Sequence, residues 1–164
     1  MSTEIPVFYG AIDRNLAKPG PIAHGDALNL VPENPWVSTS RNWWYQGLVN
    51  DLLTRYQGLE ELRYLTEIAV VISTGQLAAK IQAIRNLLMT IEQDTEPFVK
   101  ATPYMGYSAE EVREQLMQAE VSRDVDDDST LAFSNFFSFL VSHIAALQEA
   151  QQAGKCLLYV RAQP

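Results

Sequence analysis

Cysteine and histidine are almost missing from this chain: one cysteine, Cys156, and two histidines, His24 and His143, in 164 residues. A lone cysteine excludes an internal disulfide and every Cys-based zinc pattern, so a reducing compartment, the cytoplasm, is the expected setting. No carboxylate stands three or four residues from His143, which removes the HExxH and ExxH spacings. A packed or surface histidine is the reading for that position, and neither a metal nor a cofactor is expected.

Long apolar runs are also lacking. The longest falls far short of the ~20 residues that a membrane-crossing helix needs, and no membrane contact is expected. The opening MSTEIPVFYG has no basic start followed by an apolar stretch, so it does not read as a secretory leader. Walker, GxGxxG and GxSxG motifs do not occur, and GYSAE at 106–110 matches none of them. Clustered Lys and Arg, which phosphate binding requires, are missing too, so nucleic acid is not an expected partner.

What is present is an apolar fraction of 47%, enough for one domain to bury a continuous core unaided. The charge is unevenly placed. From Glu92 to Asp128 there are eleven acids against Lys100, Arg113 and Arg123, a net of minus eight, while the remaining nine acids and nine bases cancel.

Residues 1–37 hold five of the eight prolines and no helical period, which predicts an irregular arm packed on a helical domain over 38–164. Within the arm, Ile5 to Tyr9 has the makings of a short edge strand. Ser38 to Ser40 offer caps for a first helix running to about Tyr56, with Tyr45, Val49, Leu52 and Tyr56 on one stripe. Leu59 opens a second pattern through Leu62, Leu65, Ala69 and Ile72. The run at 68–72 suits helix or buried strand, and helix is preferred because the period reaches back to Leu59.

Ser73-Thr74-Gly75-Gln76 resembles a capping box for a third helix, with Leu77, Ile81, Ile84, Leu88 and Ile91 buried; alternatively Gly75 interrupts one helix from 59 to 93. Residues 95–107 read as a connector. Ser108-Ala109-Glu110-Glu111 is a second capping box, before a short helix with Val112, Leu116 and Ala119 inward. The acids at 124–128 then suit the N-terminus of a last helix, roughly 129–152, rich in phenylalanine. Gly154 is placed to end it, and 155–161 reads as a strand whose natural partner is the segment at 5–9. The expected fold is therefore mainly α: a compact bundle of four to five helices with at most a two-stranded β patch from the chain termini.

Several constellations invite a function. A calcium loop starting at Asp124 fails, because Ser129 and Asn135 stand where glycine and glutamate are required. His24 with Asp26 is a possible acid/base pair in sequence only. Paired acids such as Glu110 with Glu114, or Glu60 with Glu67, would serve an enzyme only inside a cleft, so catalysis is the less favoured reading. Two features remain. One is the acidic surface of Glu110, Glu111, Glu114, Asp124, Asp126, Asp127 and Asp128, whose plain alternative is a solvated face. The other is Trp43 and Trp44 beside Tyr45, which one helix stripe cannot bury together. The function expected from them is a small acidic protein-binding module, an inhibitor or immunity-like protein occluding a basic protein partner such as a toxin. A secretion chaperone or adaptor is the alternative.

Overall fold

The computed structural model describes residues 4–41, 44–103, 106–126 and 134–163. In chain order these form β1 (Glu4–Ile12), β2 (Gly20–Pro21), α1 (His24–Leu30), β3 (Trp36–Arg41), α2 (Trp44–Arg55), a 3₁₀ segment (Glu60–Thr66), β4 (Ala69–Ile72), a 3₁₀ turn (Thr74–Gln76), α3 (Leu77–Gln93), α4 (Glu96–Ala101), α5 (Ala109–Met117), β5 (Asp124–Asp126), α6 (Ser134–Ala153) and β6 (Cys156–Arg161). The strands make one mixed sheet in the order β2-β4-β6-β1-β3-β5, parallel only between β3 and β5. This overturns the expected helical bundle with a two-stranded patch: the chain has an α/β fold.

The sheet forms because two of its inner strands, β6 and β4, are apolar on both faces. In β6, Leu157 and Tyr159 point to the large core under α2 to α6, while Cys156, Leu158 and Val160 point to a smaller cluster around Ala27 of α1. In β4, Val70 and Ile72 face the large core and Ala69 and Val71 the small one. A strand covered on both sides carries a continuous apolar run with no alternation. That is why 68–72 was open to a helical reading, and why the helix preferred there is wrong. The 3₁₀ segment buries Leu62, Tyr64 and Leu65, then yields to β4.

The expected pairing of the two chain ends holds. β1 lies antiparallel to β6, with Tyr9 opposite Tyr159. The segment expected as an irregular arm thus supplies β1, β2, α1 and the start of β3. At Gly10 the backbone comes close to Pro32: a Cβ there would stand 3.0 Å from the proline ring, tighter than ordinary packing. The caps read at Ser38 to Ser40 are strand residues instead: Ser38 is fully buried in β3 and shares a 3.1 Å hydrogen bond with the Tyr9 hydroxyl. The helix begins later, at Trp44, and buries Leu48, Val49 and Leu52; Tyr56, just past its end, is buried too, and the side chain of Tyr45 lies outside the described residues.

α3 buries Leu77, Ile81, Ile84 and Ile91 against α6, but Ser73 makes no side-chain cap bond. The connector contains α4, whose first turn takes Pro97, a position where a missing N–H costs nothing. Phe98 of α4 is fully buried. α6 is the spine of the helical layer, with Phe136, Phe137, Phe139, Leu140, His143 and Leu147 fully buried. It ends as expected at Gly154, φ 66°, where the Lys155 and Gly154 amides donate back to Ala150 and Gln151.

The capping box at Ser108 is complete. Ser108 Oγ accepts the Glu111 amide and Glu111 Oε1 accepts the Ser108 amide, at 3.2 and 3.1 Å. Ser108→Ala is expected to cost about 1 kcal/mol, read as a lower urea midpoint with an unchanged denaturant slope.

Candidate functional site

The acidic window divides into two surfaces joined by a strap. The first is α5. Val112 is fully buried, and Leu116 and Ala119 pack beside it. With 3.6 residues per turn, Glu110, Glu114 and Met117 fall together on the opposite face. Glu110 and Glu114 are exposed, and Met117 is 85% exposed. Among the described residues neither Glu110 nor Glu114 enters an ion pair. Arg113, on the flank, turns away and donates to the Glu92 carbonyl at 3.0 Å. It thereby brings a cation to the C-terminal turn of α3, where Glu92 itself is unfavourable to the dipole.

These acids are not equivalent. Glu111 is committed to the capping box, and Glu110 lies in the first turn, where the helix dipole favours an acid. Glu114 and Met117 have no such structural task. Met117 was not among the candidates read from the sequence, although the period that buries Val112 and Leu116 already turned it outward.

The second surface is the sheet edge. Asp124 to Asp126 form β5, parallel to β3, with Val125 buried and Asp124 exposed. Asp124 and Asp126 therefore do not cap the last helix, as expected from the sequence. They lie on an outer strand, where charge discourages pairing with other chains. Trp43, Asp127 and Asp128 lie outside the described residues, and Trp44 opens α2.

Between the two surfaces, residues 118–123 run along α6. The Glu120 amide donates to Ser138 Oγ at 3.0 Å and the Ser122 amide to Ser142 Oγ at 2.9 Å. The match is geometric: two residues of extended chain advance about 6.6 Å and four of helix about 6 Å. Ser138 and Ser142, one turn apart on α6, thus hold an extended segment along the helix. Arg123 completes the attachment. Its guanidinium lies 4.5 Å from the Trp36 ring centre, pairs with Glu149 at 3.0 Å and donates to the Asn34 carbonyl at 2.9 Å. In the sequence Arg123 was only one base among many acids.

Elsewhere, His24 donates to the Arg161 carbonyl at 2.8 Å and is not engaged by Asp26. Glu60 pairs with Arg63, and Glu67 lies past the end of the 3₁₀ segment, so Glu60 and Glu67 do not share a helical face. Among the described residues no group of three His, Cys, Asp or Glu side chains is placed to hold a metal ion, and no helix is long and apolar enough to cross a membrane. Cys156 is buried in β6 and packs as a small hydrophobe in the smaller cluster.

Beneath the sheet, α6 sends His143 into a box of aromatic rings. The imidazole is fully buried, its centre 4.2 Å from Tyr9, 5.2 Å from Phe139, 5.5 Å from Tyr159 and 5.7 Å from Tyr64. Burial alone pushes it down to about 3. The same burial raises the Tyr9 and Tyr64 phenols. Tyr56, whose hydroxyl donates to the Asp94 carbonyl and accepts the Phe98 amide, is pushed up to about 12 by burial. No protein-family model, curated protein or solved structure matches the chain.

Proposed function

We propose that the chain is a small protein-binding module, an inhibitor or immunity-like protein that occludes a basic protein partner through the outward face of α5. The supporting observation is Met117, 85% exposed on the helix face that also presents Glu110 and Glu114. A solvated acidic face explains the carboxylates but does not call for a large apolar side chain among them. Val121, 58% exposed just beyond the helix, extends the apolar content. Apolar anchors rimmed by charge are the pattern of a docking surface: the charge speeds encounter and selects the partner, and the desolvated anchor supplies affinity. The acids on β5 add to the same long-range field. The mechanism is occlusion, since it asks nothing of the module except tight coverage of the partner's own site.

The test pairs Glu114→Lys with Met117→Ser, the two positions without a structural task. The double variant is expected to keep its thermal stability to within about 0.5 kcal/mol, as exposed substitutions do. A partner captured by the wild-type chain from its native lysate should bind the variant at least tenfold more weakly, with slower association at low salt. Capture undiminished by the double substitution, at unchanged stability, would remove the α5 face from the interface.

A further inference from the structure

The acidic face leaves His143 unused, and this residue is the most unusual group in the interior. Among the described residues, neither ring nitrogen has a hydrogen-bond partner. Among the described residues, the elements packed against it present three titratable groups to the ring, all phenols: Tyr9 from β1, Tyr159 from β6 and Tyr64 from the 3₁₀ segment. Tyr9 shares its hydroxyl with Ser38, Tyr159 donates to the Leu65 carbonyl, and the Tyr64 hydroxyl has no partner among the described residues. No carboxylate is among the groups stacked on the ring. Arg123 lies one ring further out, on Trp36, and is paired with Glu149.

We infer that the contact between α6 and the sheet is an acid-sensitive latch, opened when His143 takes up a proton. An imidazolium in this box has no counter-charge, and a neutral phenol such as Tyr64 offsets only part of its lost hydration. The cation gains water only by leaving the box. Ser142, the neighbouring residue on α6, holds the Ser122 amide, and Ser138 one turn earlier holds Glu120. Opening at His143 therefore also loosens the strap that connects the two acidic surfaces.

The direction follows from linkage. The closed form keeps His143 neutral, and the open form lets it titrate near the ordinary ~6.5. The stability conferred by the closed form is complete above that value and is lost progressively as pH falls towards the depressed folded value of about 3. Each unit below ~6.5 raises the opening constant about tenfold.

Hydrogen exchange of the Glu120, Ser122 and α6 amides, corrected for intrinsic rates and followed from neutral pH to about pH 5, tests this above the ordinary carboxylate range. Opening is expected to rise roughly tenfold or more over that interval in the wild-type chain and in His24→Gln, and to stay level in His143→Leu. If the leucine variant does not fold, ring NMR of the wild-type chain decides, since only two histidines are present. His143 must then remain neutral in the folded species at pH 5. A folded-state imidazole that titrates normally, or an equal rise of exchange in His143→Leu, overturns the latch.

Discussion

A chain ending at Gly154, and so lacking β6, is expected not to fold. β6 is the inner strand between β4 and β1, hydrogen-bonded to both, and its Leu157, Leu158, Tyr159 and Val160 are fully buried. Each such side chain contributes about 1.5–3 kcal/mol through removal of apolar surface from water, and two ladders of backbone bonds disappear with them. The combined loss is comparable with the entire stability of an ordinary domain, about 5–15 kcal/mol. The buried faces of β1 and β4 would be exposed at the same time. Circular dichroism and amide NMR dispersion read the outcome directly. Leu158→Asp is expected to approach the same result by one substitution, placing a carboxylate between the sheet and α1. A truncated chain retaining a cooperative transition would mean that the helices carry the fold by themselves.

Phe98→Ala should be the most damaging of the side-chain truncations in the helical layer, lowering stability by about 3–5 kcal/mol in urea denaturation. α4 has six residues, too few to be helical in isolation. Its order comes from one ring, packed 5.4 Å from Phe137 and 6.3 Å from Phe136, and from the Phe98 amide bonded to the Tyr56 hydroxyl. Alanine leaves a cavity against α6 and removes the anchor of α4, so the Asp94 and Tyr56 contacts should loosen too. Phe98→Leu, which keeps most of the volume, is expected to cost far less. Similar losses for the two variants would show that α4 is held by its backbone and not by the ring.

Where local chemistry decided the structure, the sequence could be read. The alternating reach of Ile5 to Tyr9, the apolar run after Gly154, the pairing of these two segments, the stripe of α3 and the reciprocal bonds at Ser108 all follow from interactions within a few residues of each other or from a single obvious partner. The misreadings share a cause. β4 has no alternation because both of its faces are buried, and that is decided by what packs on it, α1 and the small cluster on one side and the large core on the other. Ser38 to Ser40 have the composition of helix caps, but β1 was waiting for a neighbour, and the Tyr9 hydroxyl gave Ser38 a use within the sheet. Asp124 and Asp126 suit a helix N-terminus equally well as a charged outer strand; only the attachment of residues 118–123 to α6 selects the strand.

The candidate surface was legible in part. The acids of α5 could be placed from the capping box and the period, and that period also faces Met117 outward once Val112 is taken as buried. The part played by Arg123 could not be read, because Trp36, Asn34 and Glu149 converge on it from three distant stretches of chain.

The position of β6 also has a consequence for biosynthesis. β1 and β4 are both made before the strand that lies between them, and Tyr9 finds Tyr159 only when the far end of this stretch has left the ribosome. Until then the nascent polypeptide carries two apolar strands with unpaired amides, which neither side can satisfy locally. The sheet is therefore assembled after translation of the whole stretch, slowly for its size because its central pairings span nearly all of it. Cellular yield should accordingly depend on chaperone supply and growth temperature more steeply than the stability of the finished molecule would indicate.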